Sequence, residues 1–428
     1  MINKENNLPQ KKNSNKKTII FSILMALIVC LSFIGGYFAS ELSKPKKVRE
    51  VDNIVALIEQ HGYIINPETG EPYDFTKEDY ADAIVKNLLD RYCEYYTAEE
   101  RNKSLQEGLG LYNGIGLTIL EDSLAVFKVI GNSPADLAGV KKGDVIIAGI
   151  TPDQTRIDFS TGKDVLNFLD SQEKSDTVTL IFDGEKECVL EKQDYFVSYV
   201  TYYDSEKRLC FRTEDSKISE PSTDMSAILD DDTAYIKLDQ FEGSAALQLK
   251  VALSFMEERG RTKLILDLRD NGGGYMTVLT SVAGLLIKNQ GKNNTLVAVS
   301  RGKTGEEEYK TSINAFNDNI KAISVIANEY TASASECLIG AMLHYGDFFS
   351  KDRLILERNT NNIARTYGKG IMQTTYSLAD GAAIKITTAS ILWPDRTTCI
   401  HGKGITTTAE NSVEKGVDAI LRAQATLN

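Results

Sequence analysis

The sequence predicts an α/β protein, a layered core joined to a small β-rich domain and an N-terminal helical segment, all behind one transmembrane helix. Three observations carry this expectation. Residues 193–428 alternate short apolar β-type runs with amphipathic helical runs, the pattern of a layered core. Around residues 109–192, Gly108, Gly110, Gly114 and Gly116 punctuate short β-runs. Residues 18–38, TIIFSILMALIVCLSFIGGYF, contain no charge and are long enough to cross a bilayer as a helix.

Composition narrows the function. At about 100–200 residues per domain, 428 residues make two or three domains. The net charge of −12 gives no electrostatic footprint for nucleic acid. Only three histidines are present (His61, His344 and His401), and neither Cys-x-x-Cys nor His-Glu-x-x-His spacing occurs, so no metal or other cofactor is expected. Cys30, Cys93, Cys188, Cys210, Cys337 and Cys399 are scattered, which argues against a disulfide framework and leaves any single pair open.

In chain order, residues 1–17 form a basic tail, with Lys11, Lys12, Lys16 and Lys17 before the apolar run. That arrangement suits a signal sequence or an uncleaved signal anchor. The run is longer than a signal-peptide core and lacks a small-x-small cleavage site, so an anchor is expected. Lys44, Lys46, Lys47 and Arg49 follow the span, which makes the positive-inside margin narrow. A large domain after a first span usually translocates. The tail is therefore placed in the cytoplasm and the remainder outside it, as a single-pass protein of the cell membrane.

Residues 39–108 read as helical, with Ile54, Val55, Leu57 and Ile58, then Ala81, Ile84, Val85, Leu88 and Leu89, at 3–4 spacing. Thr97 is a cap for a helix carrying Glu99 and Glu100. In residues 109–192, Ser133-Pro134-Ala135 places proline at a helix start, Gly139 closes that helix, and Lys142-Gly143-Asp144 turns into a strand. With the stretch SPADLAGVKKGD, this segment resembles a PDZ domain. The resemblance implies that Gly114, Ile115, Gly116 and Leu117 offer backbone amides to a substrate's C-terminal carboxylate. The connector to the core, Glu191 to Tyr202, is short enough to keep this domain close.

Residues 193–428 begin with a strand in TAYIKLDQF and a helix in ALQLKVALSFMEERG closed by Gly260. The strand TKLILDLRD then runs into Gly272, Gly273 and Gly274. A helix, LTSVAGLLI, and two further strands, TLVAVSR and AISVIAN, lead to the serine-rich turn Thr331-Ala-Ser-Ala-Ser-Glu336. Ser333 and Glu336 match a capping box, which satisfies free amides at a helix start. The same serine at the positive end of a helix dipole also suits a nucleophile beside oxyanion-binding amides. The turn alone does not decide between the two.

The stretches LLDRYCEYYTAEE, LILDLRDNGGG, NEYTASASE, TYGKGIMQ and IHGKGI appear here in the order found in carboxyl-terminal processing (tail-specific) serine proteases. The resemblance implies a crotonase-like core and a Ser–Lys dyad. Carried over by motif, Ser333 is the nucleophile, Lys369 the general base, and Gln373 the residue that orients the lysine. The Ala334 amide and one from the glycine run, Gly273, form the oxyanion hole. Tyr367, Gly368 and Gly370 are expected to exclude water around Lys369, because desolvation lets a lysine lose its proton near neutral pH. His344 and His401 are held as structural or site-lining residues.

The implied partners are polypeptides with accessible C-termini, with gating by the PDZ domain. A homo-oligomeric state stays open, and a non-catalytic PDZ scaffold or receptor that keeps the protease fold is the alternative. Two features depart from the family pattern. Gly272 stands where a proline or small residue is common, and the Ser333-to-Lys369 interval is long. The excess, around DFFSKDRLILERNTNN, is expected to form a loop on the site's rim. Ser300-Arg-Gly-Lys303 and Lys303-Thr-Gly305 mimic penicillin-binding motifs but overlap, so a charged hairpin is expected there.

Overall fold

Runs such as KLILD and AISVIA are apolar at successive positions, which suits parallel strands covered on both faces. The computed structural model describes residues 43–65, 70–172, 177–210, 218–221, 227–288 and 294–428, together with Met25, Ser32 and Met225. They fall into two units, one ending at Ala83 and the other running Ile84–Asn428.

The first unit holds α1 (Lys46–His61), no residue of which is buried. It also holds the start of α2 (Lys77–Leu88), where Thr76 and Asp79 cap each other reciprocally. The predicted transmembrane segment 18–38 lies outside the described residues apart from Met25 and Ser32. Among the described residues no helix is long and apolar enough to cross a membrane.

The second unit opens with β1 (Glu94–Tyr96) and α3 (Ala98–Gly108). Thr97 caps α3 as expected, with Glu100 completing the box. β1 was not expected. It pairs antiparallel with β20 (Ala383–Leu392) in the core, so residues 84–108, which the sequence groups with the N-terminal helices, are built into the second unit.

A β-rich body follows. It comprises β2 (Leu111–Gly114), β3 (Leu117–Ile119), β4 (Val126–Val129), α4 (Pro134–Leu137), β5 (Ile146–Ile150), β6 (Arg156–Asp158), α5 (Gly162–Ser171), β7 (Thr177–Phe182), β8 (Lys186–Glu191) and β9 (Gln193–Phe196). It has its own core, in which Ile115, Ile119, Val126, Ile146, Val165, Phe168 and Leu180 are buried together. Ser133 caps α4 with Pro134 in its first turn, and Gly139 turns the chain out at φ 78°. The connector back to the core is itself a strand: β9 pairs antiparallel with β2.

The main sheet has eight strands in the order β12-β11-β10-β13-β14-β17-β18-β21. These are β10 (Val200–Tyr203), β11 (Lys207–Cys210), β12 (Ile218–Pro221), β13 (Thr233–Leu238), β14 (Lys263–Asp267), β17 (Ala322–Ala327), β18 (Leu354–Glu357) and β21 (Ser412–Val413). From β13 to β21 neighbouring strands run parallel. Between them lie α6 (Ala245–Glu258), α7 (Met276–Leu286) and α8 (Ala334–Tyr345), and α9 (Val417–Leu427) closes the chain. A second sheet joins β1, β20, β15 (Leu296–Gly302), β16 (Gly305–Lys310) and β19 (Ile371–Ser377). The charged hairpin expected at 300–305 is the β15–β16 turn, with Gly302 opposite Gly305.

The expected rim loop is corrected. LILE in the long interval is β18, paired parallel to β17, with Leu354, Ile355 and Leu356 wholly buried. Burying each such side chain is worth about 1.5–3 kcal/mol, against about 1–2 kcal/mol to order a residue's backbone. An unbroken apolar run of that length is better buried as a strand than left on a rim.

Candidate active site

β17 delivers the chain into a tight turn held by Thr331, whose hydroxyl donates to the Leu268 carbonyl at 2.8 Å and accepts from the Asn328 amide at 3.0 Å. Ser333 caps α8 at φ 56° and ψ −116°, half-buried between buried Ala332 and Ala334. For a residue with a Cβ this backbone costs about 1–3 kcal/mol, and it resembles the sharp strand-to-helix corner that presents a nucleophile. Ser333 and Glu336 do form the capping box, with Glu336 Oε2 accepting from the Ser333 amide at 3.0 Å. A capping serine accepts with its oxygen and keeps its O–H free to donate. The two sequence readings are therefore compatible.

Glu336 reaches much further than a cap. Its side chain is wholly buried, and Oε2 also accepts from the Lys369 amide at 2.9 Å. Oε1 accepts from the Gly368 amide at 2.8 Å and from the Thr366 hydroxyl at 2.5 Å. One carboxylate oxygen thus lies within 3.0 Å of the backbone nitrogens of both Ser333 and Lys369. Burial raises the Glu336 pKa against these four donors. Its neighbour Cys337 is no rival nucleophile, since burial pushes that thiol up to about 12.

The Lys369 ammonium makes no hydrogen bond to Ser333. Its nitrogen lies 4.8 Å from the centroid of the Tyr92 ring. Its pKa is lowered, first by desolvation and then by the Lys385 ammonium. The ring against the lysine is thus Tyr92, from the chain just before β1; Gly368 and Gly370 are buried as expected, while Tyr367 is 38% exposed. Gln373, expected to orient Lys369, instead donates to the Thr387 hydroxyl at 3.0 Å. Thr387 is bound in turn by Cys93, whose sulfur accepts from its amide at 3.3 Å.

Gly273 lies hard against Ser333. A Cβ built on it would fall 2.8 Å from Ser333 Cβ and 2.9 Å from the Ala334 nitrogen, and its φ of 103° also favours glycine. The Ala334 amide has no acceptor among the described residues. The Gly273 amide donates to Asn271 Oδ1 at 2.9 Å, so only one of the two expected oxyanion donors is unengaged. In the β-rich body, Gly116 has φ 81° and its carbonyl accepts from the Ile130 amide, while the Ile115 and Gly116 amides have no acceptor among the described residues.

This body touches the two loops that carry Ser333 and Gly273. Phe127 packs edge-on against Tyr330 at 5.0 Å, and Lys142 pairs with Asp270. Asp270 and Asn328 are joined by two hydrogen bonds, which link the glycine loop to the serine turn. A cavity of about 160 Å³, lined by Thr118, Lys128, Ser198 and Asp239, lies at this junction rather than over Ser333. His344 is exposed and edge-on to Tyr345, away from the candidate site, whereas His401, also exposed, lines it beside Gly370. Glu336 as a hub, Tyr92 and Thr387 are what sequence reasoning missed. Only the aromatic, charged stretch DRYCEYY hinted at the second.

Residues 232–410 match the family described as peptidase family S41. The chain resembles this family over that segment, which is less than half of its 428 residues. It is 30% identical over 338 residues to a probable CtpA-like serine protease of Staphylococcus epidermidis, covering 76% of this chain and 58% of that protein. A probable CtpA-like serine protease of Staphylococcus aureus is 27% identical over 427 residues, covering 93% of this chain and 74% of the relative. The chain thus spans under two thirds of the Staphylococcus epidermidis relative's length. Among solved structures, the photosystem II D1 C-terminal processing protease is similar with 22% identity and a TM-score of 0.48, over 84% of this chain and 91% of that one.

Proposed function

We propose that this chain is a membrane-anchored serine endopeptidase that cleaves exported proteins near their C-termini with a Ser333–Lys369 dyad. The observation that carries the reading is the single Glu336 oxygen that receives the amides of both residues. In this reading the neutral Lys369 amine takes the Ser333 proton as Oγ attacks the scissile carbonyl. The oxyanion forms against the Ala334 amide and the Gly273 amide, which turns from Asn271 to the substrate. The lysine then passes its proton to the leaving amine, and water hydrolyses the acyl-enzyme. Lys369 resting over Tyr92 and Gln373 resting on Thr387 make this an unassembled arrangement, which a substrate preferring the assembled one would shift.

Residues 109–192 are read as the PDZ domain that senses the substrate's end. The Ile115 and Gly116 amides suit a carboxylate, and the Phe127–Tyr330 and Lys142–Asp270 contacts lead from this body to both catalytic loops. An unfolded substrate with a free C-terminus is expected to be cleaved at least about tenfold faster than the same chain amidated, the loss expected for one charge-assisted recognition. Equal rates for the two would remove the C-terminal reading and leave a general endopeptidase.

Residues 18–38 are read as the anchor, with the catalytic unit outside the cytoplasm. An impermeant thiol reagent is expected to label a single cysteine placed in the catalytic unit of an otherwise cysteine-free protein on intact cells. Labelling that needs lysis would reverse the orientation.

A further inference from the structure

Tyr92 is held by three neighbours. The Arg91 guanidinium donates to its hydroxyl at 2.9 Å, and that hydroxyl donates to the Tyr367 hydroxyl at 3.3 Å. Asp90 Oδ1 accepts from the Tyr92 amide at 2.9 Å. β1, two residues later, fixes the backbone by pairing with β20. The ring is therefore pinned where the Lys369 nitrogen lies 4.8 Å from its centroid, within the range at which an aromatic face attracts a cation.

We propose that Tyr92 is a positioning residue for the base: its ring face holds the Lys369 ammonium, and so sets the pH at which the lysine becomes free to serve Ser333. This rests on the reading of Lys369 as the base.

The surrounding charges fit such a holding place. Lys385, on β20, repels the ammonium, and Glu94 and Tyr96 hold Lys385 with hydrogen bonds of 2.6 Å. Asp90 draws the ammonium the other way. Arg91 adds a second cation beside the same ring, at 5.0 Å, and the Glu336 carboxylate engages the Lys369 backbone. Cys93, Cys399, Tyr367, His401 and Lys403 are the further titratable residues around the lysine's loop. Among the described residues no carboxylate forms an ion pair with the lysine. The ring face is the nearest favourable partner of the charged form, with Asp90 adding an attraction, and a cation leaves the ring on losing its proton.

The test compares the pH dependence of kcat/KM for the wild type, Tyr92→Phe and Tyr92→Leu on an unfolded protein substrate. Removing the ring while keeping an apolar cover is expected to move the acid limb of Tyr92→Leu to lower pH by about half a unit to one unit. Tyr92→Phe keeps the ring and is expected to keep the limb where the wild type has it. Tyr92→Met, which fills more of the ring's volume, gives the same reading if the leucine variant does not fold. A limb that stays put or rises in both ring-free variants overturns the proposal, and so does a phenylalanine variant that behaves like leucine.

A second readout separates this from the dyad itself. In the inactive Ser333→Ala protein, the Lys369 ε-carbon resonance, assigned by its loss in Lys369→Arg, is titrated with and without Tyr92→Leu. A downward shift there is the expected result, and an unmoved titration overturns the holding role. Full turnover by Ser333→Ala would instead sink the dyad and leave the ring contact standing.

Discussion

Ser333→Ala is expected to lower kcat by about 10⁴-fold or more, and Lys369→Ala by a similar factor, because a nucleophile and its base act as one unit. The side chain removed is the one presented by the corner at φ 56° and ψ −116°. Alanine at that position keeps the Glu336 bond to the backbone amide, so the fold is expected to survive and the loss to be chemical. Lys369→Arg should be as inactive as Lys369→Ala, since a guanidinium stays protonated. For the wild type the direction of the pH profile follows from the lysine's lowered pKa: the rate rises as Lys369 deprotonates, and it does so below the ordinary lysine range. The measurement is single-turnover cleavage of an unfolded protein, and a Ser333→Ala protein that cleaves at the wild-type rate would end the assignment.

The second large effect is expected at Glu336, which touches no substrate. In Glu336→Gln one end of the side chain becomes an amide NH₂, while both oxygens of the native carboxylate face two N–H or O–H donors each. Two donors are then left facing a donor, at about 1–3 kcal/mol for each unsatisfied group. That is enough to let the Ser333 and Lys369 loops separate, and kcat/KM is expected to fall about 100-fold. Stability should change less. A carboxyl group whose folded pKa is raised contributes stability below its unfolded value and loses it as pH rises through the folded one, so ionised Glu336 is a cost at neutral pH. The neutral amide removes that cost while losing the geometry. Activity and thermal melting measured on the same protein decide the matter, and turnover within twofold of wild type would show that the carboxylate does not hold the dyad together.

Much of this was legible in the sequence because it is local. The cap at Thr97, proline in the first turn of α4, and the strand-to-helix corner at Ser333 each depend on residues a few positions apart. The main sheet announced itself through continuous apolar runs. What escaped was long-range. Glu336 was visible as a cap, yet its bonds to Thr366, Gly368 and Lys369 cross about 30 residues that no periodicity connects. β1 is only three residues long, too short to show alternation, and its place is set by the edge of β20. β18 was misjudged because its interval was read by length and not by the apolar character of LILE. Gln373 was placed by motif, and the neighbour that holds it, Thr387, comes from the adjacent strand.

On the proposed anchored reading, the short strand β1 sets how far along the chain a releasing cut could fall and leave the surroundings of Lys369 intact. Cleavage ahead of Lys77, where α2 begins, would keep α2, Tyr92 and β1 on one piece of chain with the core. A cut past Tyr96 would instead sever both β1 and Tyr92 from the chain that carries β20 and Lys369. On that reading the stretch between Asp90 and Tyr96 is expected to record where the cut fell, with release ahead of it preserving the proposed activity and digestion past it erasing that activity.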